Sequence, residues 1–135
     1  MRKVLCVCFG NTCRSPMFAA LLQQSYFADG RSDIVVESAG ISREAVGQTA
    51  APDWETLREL TGVDLSQHRS RCIDDLDVEQ YDKIICLDEK VYQQLLGRGW
   101  AKERIKLVAI PNPWQQGLQA YRDCHATIKE LVKEF

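Results

Sequence analysis

Val4-Leu5-Cys6-Val7-Cys8-Phe9-Gly10-Asn11-Thr12-Cys13-Arg14-Ser15-Pro16-Met17 is the stretch that decides the fold. An apolar run is followed by a loop holding glycine and asparagine, then by an arginine and a Ser-Pro pair that opens a helical pattern. That order reads as a strand, a tight turn and a helix, with the Cys8 thiol at the strand tip and Arg14 at the helix mouth. Ser15 reads as the N-cap, with Pro16 at the first helical position.

The rest of the chain repeats the alternation. Apolar runs at Val4 to Val7, Ile34 to Val36, Ile84 to Leu87 and Ile105 to Ile110 have the length and branching of buried parallel strands. Helical patterns cover Pro16 to Phe27, Pro52 to Thr61, Glu89 to Leu96 and Leu118 to Phe135, with a weaker turn around Ile73 to Gln80. Asp29-Gly30, Gly62 and Gly97 stop the first three helices. Strand and helix in alternation predict an α/β fold: a four-stranded open parallel sheet with helices on both faces and right-handed crossovers. Such sheets bind ligands beyond the carboxyl ends of their strands, where Cys8 falls.

The 135 residues are read as a single domain spanning 1–135, large enough to bury its core without staples. Seventeen basic and nineteen acidic residues are interspersed, so no stripe favours nucleic acid or a membrane surface. Arg14 interrupts the opening apolar segment before it reaches the length of a leader, and a cytoplasmic protein is expected. The six cysteines show no CxxC pair and the two histidines no ligand spacing, so no metal, cofactor or disulfide framework is expected. Trp54, Trp100 and Tyr92 are left undecided between core and surface by periodicity alone.

A bare C-x5-R is weak evidence, since this composition yields about 0.4 such matches by chance. Context gives it weight. Gly10 and Asn11 tolerate the left-handed backbone that turns N–H groups inward, making an anion nest of Phe9, Gly10, Asn11, Thr12 and Cys13. The helix N-terminus adds positive potential, and Arg14 adds a planar fork matched to two oxygens of a tetrahedral dianion. The same field favours the Cys8 thiolate, to which the Ser15 hydroxyl can donate. A thiolate beneath a bound phosphate is set for in-line attack, forming a cysteinyl-phosphate that water hydrolyses. The competing reading makes Cys8 a buried strand-end thiol and Arg14 a surface charge. A nucleotide-binding P-loop is excluded by the missing GxxxxGK[ST].

Val7 to Pro16 resembles the V-C-x-G-N-x-C-R-S-P signature of the low-molecular-weight protein tyrosine phosphatases, with every fixed position filled. The likeness extends to Glu37-Ser38-Ala39-Gly40, to the segment Asp64 to Arg71 and to Tyr81 to Asp88. It implies Cys8 as nucleophile, Arg14 as phosphate ligand, Ser15 as thiolate stabiliser, and Asn11, Ser38 and His68 as a brace for the loop. The substrate implied is a phosphotyrosine protein or a small phosphomonoester, with inorganic phosphate-like anions as ligands. Cys13 matches a second loop cysteine able to close a reversible disulfide onto an oxidised nucleophile; a small filler in a tight loop is the alternative.

Two positions depart from that pattern. The resemblance implies an aspartic acid before Pro113-Trp114 to protonate the leaving group, and this chain has Asn112, which has no proton to give. Glu103 and Asp123, the nearest acids in sequence, lie far along the chain. Glu44 stands where an aromatic wall is implied, leaving Phe9 and Trp114 to flank the substrate slot. Glu44 is read either as a solvated surface residue or as an acidic wall that suits a cationic or small substrate. The chain also runs short from Trp114 to Tyr121, opening the rim, and Gln115 replaces a tyrosine of some relatives.

Three functions follow: a phosphomonoester hydrolase with weakened acid catalysis, a phosphate-binding pseudophosphatase, and a thiol-dependent arsenate reductase. The last needs two relay cysteines. Cys86 is near where one is implied but is read as a core strand residue, and residues 89 to 100 hold no other.

Overall fold

The computed structural model describes residues 2–135. Strands β1 (Arg2–Cys8), β2 (Ile34–Gly40), β3 (Lys83–Cys86) and β4 (Ile105–Leu107) form one sheet in the order β2-β1-β3-β4, every pair parallel. Helices α1 (Arg14–Ala28), α2 (Pro52–Thr56), α3 (Arg58–Thr61), α4 (Glu89–Gly97) and α5 (Leu118–Leu131) connect and follow them. The chain runs outward from β1 to β2 and then crosses to β3. The carboxyl end of β1, carrying Cys8 opposite Gly40, therefore lies where the strand order reverses.

Alternation along β1 sorts the core. Val4, Cys6 and Cys8 join the cluster under α1, α2 and α5, where Met17, Phe18, Leu22, Trp54, Tyr121 and Ile128 are buried. Leu5 and Val7 face the other cluster, with Val91 and Leu95 of α4 and with Ile73 and Tyr81. Each fully buried large side chain contributes about 1.5–3 kcal/mol, so both faces are anchored independently of the loop between β1 and α1. Trp54 is buried in the first cluster, whereas Tyr92 and Trp100 are partly buried against the second.

Several boundaries differ from the sequence reading. Helix α1 begins at Arg14, its N-cap is Cys13 without a side-chain bond, and Ser15 lies inside the first turn. Ser15 is drawn away from capping by the bonds its hydroxyl makes to the loop. Strand β4 ends at Leu107 rather than Ile110. Val108 and Ile110 still donate to the carbonyls of Cys86 and Leu87 at 2.8 and 3.0 Å, but β3 itself ends at Cys86 and no ladder continues. The helix expected over Pro52 to Thr61 breaks at Leu57, whose backbone leaves the helical region (φ −94, ψ 13). The weak turn resolves into 3₁₀ turns at Ile73–Asp75 and Val78–Gln80, and the chain leaves α5 through another at Val132–Glu134. No helix among the described residues is long and apolar enough to cross a membrane, and none of their His, Cys, Asp or Glu side chains cluster in threes as a metal site.

Candidate active site

The loop between β1 and α1 is held by its carbonyls. The Phe9 carbonyl accepts from the amides of Ile41 (2.9 Å) and Ser42 (3.1 Å), and the Thr12 carbonyl from Ala51 (2.9 Å). The Asn11 carbonyl accepts from Ser70 Oγ at 2.9 Å and from the His68 Nε2–H at 2.6 Å. The Cys13 carbonyl accepts from Trp54 Nε1 at 2.8 Å. In a planar trans peptide the N–H points opposite to the carbonyl, so turning these carbonyls outward turns the following amides inward. Among the described residues, the amides of 10 to 13 find no acceptor, the condition for an anion nest.

Asn11 is the hub. It is fully buried with φ +57, the left-handed backbone expected of it. Its Nδ2 donates to Ser15 Oγ (2.7 Å) and Ser38 Oγ (2.9 Å), and its Oδ1 accepts from the Arg71 amide (3.0 Å). Arg71 is held in turn by Glu37 at 3.0 Å and by the Ser38 carbonyl. Burial acts to raise the Glu37 carboxyl, but bonds from Tyr81 and Arg71 prevail and hold it below the usual carboxylate range. The structure thus brings Asn11, Ser38 and His68 together around the loop. Burial, reinforced by Arg71 and Arg69 against the opposing Asn11 bond, pushes the His68 imidazole below its ordinary value and keeps it neutral, which suits Nε2–H donation.

At the floor, Cys8 is buried and its Sγ lies 3.0 Å from Ser15 Oγ, donating to it as a thiol. Asn11 donates to that oxygen and Ser15 Oγ in turn donates to the Ala39 carbonyl at 3.5 Å, a long bond from which its proton can turn toward a thiolate. Arg14 is also buried. Its Nη1 donates to the carbonyls of Leu87 (3.2 Å) and Ile110 (3.0 Å) and to Asp88 Oδ2 (3.0 Å). Its Nε–H is buried without a partner among the described residues. A guanidinium presents Nε–H beside one Nη2–H, so anchoring Nη1 leaves the forked edge for an anion. Burial acts to raise Asp88, yet the Arg14 bond and charge and two α4 amides hold its carboxyl below the usual range.

Cys8, Arg14 and the loop open into a cleft of about 300 Å³, rimmed by Phe9, Glu44, Asn112 and Trp114. Phe9 and Trp114 stand 55% and 53% exposed, lining the cleft rather than the core. Asn112 Oδ1 accepts from the Trp114 amide at 3.1 Å, which leaves its Nδ2 free. Asp123 and Glu103 are not on the cleft wall, and Asp123 is engaged by Gln119 at 2.9 Å. Cys13 Sγ lies 3.2 Å from the Tyr121 hydroxyl, with Trp54 packed edge-on against Tyr121; burial raises the Cys13 thiol. Cys86 is buried, donates to the Asp88 carbonyl at 3.3 Å and is pushed up to about 11, chiefly by burial.

Sequence reasoning missed Asp88, Trp54, Tyr121, Ser70, Arg71 and Gly40 as parts of the site. Gly40 had the clearest signal, sitting after Ser38-Ala39 in a segment already singled out. A Cβ there would lie 2.6 Å from the Phe9 carbonyl oxygen.

Residues 3–135 match the family described as low molecular weight phosphotyrosine protein phosphatase. The chain is 31% identical to the probable low molecular weight protein-tyrosine-phosphatase EpsP of Ralstonia nicotianae, covering 98% of this chain and 92% of that protein. It is 30% identical to the glutaredoxin arsenate reductase of a Synechocystis strain, covering 98% and 95%. Among solved structures, the low molecular weight protein tyrosine phosphatase from T. tengcongensis superposes with a TM-score of 0.90 at 24% identity, covering 98% of this chain and 96% of that one.

Proposed function

We propose, from the premise that the chain belongs to the low molecular weight phosphotyrosine protein phosphatase family, that it hydrolyses phosphomonoesters through a cysteinyl-phosphate on Cys8. The observation that carries the reading is the pairing of the buried Cys8 thiol with the Arg14 Nε–H, unpartnered among the described residues, at the floor of a loop whose Phe9, Asn11, Thr12 and Cys13 carbonyls are bonded outward. A phosphate dianion in that loop receives the amides of Gly10 to Cys13 and the Arg14 fork. The Cys8 thiolate attacks phosphorus in line as the ester P–O bond breaks; water then attacks the cysteinyl-phosphate and releases phosphate and thiolate. Ser15 donates to the thiolate, and Asn11, Ser38 and His68 fix the loop.

Asn112 sets the limits. Its Nδ2 can hydrogen-bond the leaving oxygen but cannot transfer a proton, and loss of a general acid costs about 10²- to 10⁴-fold. Turnover is therefore expected to be efficient on activated aryl phosphates and poor on phosphotyrosine. Hydrolysis of p-nitrophenyl phosphate that is blocked by vanadate and abolished in Cys8→Ser supports the reading. Vanadate binding without Cys8-dependent hydrolysis refutes it in favour of a pseudophosphatase, the alternative that Asn112 raises. The arsenate reductase reading is favoured only by the Synechocystis relative, and the burial of Cys86 counts against a relay.

The loop thiols also support redox sensitivity in a cytoplasmic setting. Peroxide converts the Cys8 thiolate to a sulfenic acid, which the Cys13 thiol displaces with loss of water to give a disulfide.

A further inference from the structure

Strand β2 is an edge of the sheet, and its outward backbone groups are bonded one by one from side chains and a loop. The Arg2 amide donates to the Asp33 carbonyl at 3.0 Å, so residues 33, 35, 37 and 39 turn their N–H and C=O toward β1, and Ile34, Val36, Ser38 and Gly40 turn theirs away. The carboxamide of Gln23, on α1, closes the first outward rung: its Nε2 donates to the Ile34 carbonyl at 2.8 Å and its Oε1 accepts from the Val36 amide at 2.9 Å. Arg71 closes the last. Its Nε and Nη2 donate to the Ser38 carbonyl at 3.3 and 3.1 Å, and its carbonyl accepts from the Gly40 amide at 2.8 Å. Between the two, the Val36 carbonyl and the Ser38 amide have no partner among the described residues. An acceptor and a donor two residues apart on one edge match the N–H and C=O that a single residue of a parallel strand presents.

The open rung faces a hollow of about 460 Å³ between α1 and residues 67 to 71, where the small Ala19 and Ala20 leave room. None of the residues lining this hollow lines the cleft above Cys8. Its free charge is positive. The Glu37 carboxylate is already occupied by Arg71 at 3.0 Å, by the Tyr81 hydroxyl at 2.7 Å and by Lys3 at 3.6 Å. The exposed Arg69 donates through Nη1 to the His68 carbonyl at 2.8 Å and has no carboxylate partner among the described residues.

We infer that this notch is a second binding site, which takes an extended acidic peptide segment of a partner protein; the inference does not depend on the phosphatase reading. One residue of the segment completes the β2 ladder, donating to the Val36 carbonyl and accepting from the Ser38 amide, and a neighbouring aspartate or glutamate meets Arg69. A basic segment could complete the same rung, but it would bring like charge to Arg69 and Arg71. The site borders the frame of the anion nest, since His68 and the Arg71 amide bond Asn11 at 2.6 and 3.0 Å.

The test titrates the ¹⁵N-labelled full chain with an acetylated and amidated hexapeptide of alternating aspartate and valine. Two other peptides accompany it: the same sequence with its backbone amides N-methylated, and its lysine–valine counterpart. The expected result is a saturable shift centred on the Ser38 amide and the Gln23 carboxamide, with slower hydrogen exchange at Ser38. The affinity should fall at least about fivefold on N-methylation, on replacement of aspartate by lysine, and in Arg69→Glu, with Arg69→Gln between. The inference is overturned by the absence of a saturable shift, by indifference to N-methylation, or by equal affinity for the lysine peptide or in Arg69→Glu. Shifts centred on Thr12 and Asn112 instead would put the peptide in the cleft and overturn it equally.

Discussion

Replacing Gly40 with alanine tests whether the position of the phosphate loop, rather than its composition, sets the rate. Gly40 closes β2 opposite Cys8, and its amide donates to the Arg71 carbonyl at 2.8 Å. Its φ is not positive, so alanine meets no backbone penalty there and the perturbation is purely one of space. The new Cβ would lie 2.6 Å from the Phe9 carbonyl oxygen, 3.0 Å from the Asn11 amide nitrogen and 3.0 Å from the Gly10 carbonyl carbon. All three are backbone atoms and none can rotate away. Reaching an ordinary contact of about 3.4 Å moves the Phe9 carbonyl by roughly 0.8 Å, which strains its bonds from Ile41 and Ser42 and carries the nest with it. Overpacking of this kind costs about 1–3 kcal/mol, or roughly 4–12 °C in Tm for a chain of this size. A displacement near 1 Å at the reacting centre costs about 10²-fold in rate. Thermal unfolding and kcat/KM on p-nitrophenyl phosphate read the two effects separately. Gly97→Ala, where no atom lies within 4 Å of the added carbon, is the control and should leave both near wild type. A Gly40→Ala protein that is destabilised yet keeps kcat/KM within about threefold would refute the claim that Gly40 guards the loop geometry.

Asn112→Asp should raise kcat on phosphotyrosine by about tenfold or more and change p-nitrophenyl phosphate much less, because only the basic leaving group needs the proton. Asp88→Asn keeps an N-cap for α4 but removes the charge beside Arg14, and should cost about 1–2 kcal/mol at neutral pH by urea unfolding. Since the folded Asp88 value is depressed, that difference is full above the ordinary carboxylate value near 3.9 and should shrink as pH falls through the depressed one. His68 is likewise depressed, chiefly by burial, so its neutral form stabilises the fold above about 6.5 and stability should decline as pH drops from there toward the depressed value. His68→Gln should flatten that decline, His125 contributing what remains. After peroxide treatment, dithiol should restore activity in wild type but not in Cys13→Ser, whereas equal recovery in both would count against the loop disulfide.

The loop was legible because its demands are local. A left-handed turn calls for Asn11, an anion fork for Arg14 and a strand-end nucleophile for Cys8, and each residue type announces its use within nine positions. What the sequence concealed are the partners that hold this loop from outside. Trp54 and Tyr121 lie 41 and 108 positions from Cys13, and periodicity could not separate them from ordinary core aromatics. Asp88 caps α4 through one carboxylate oxygen, and nothing in its sequence neighbourhood signals that the other holds Arg14 across 74 positions. Ser15 failed for the opposite reason. A serine before proline is a good local cap, but its hydroxyl is claimed by Cys8 and Asn11, and the helix starts two residues earlier, with Ser15 turned inward.

These errors share a cause with the site's chemistry. To aim amides at an anion, the loop must give its carbonyls to the surroundings, and each outward carbonyl needs a donor from another part of the fold: Ile41 and Ser42, Ser70 and His68, Ala51, and Trp54. A nest recruits its support from segments whose own patterns look like turns, loops and core. The loop that carries Glu44 is one of those supports, because two of its amides hold the Phe9 carbonyl. A substitution in residues 41 to 48 can therefore act on anion binding through Phe9 as well as on the cleft wall that Glu44 lines, which is why a comparison across substrates, and not a rate on one ester, is the measurement that separates them.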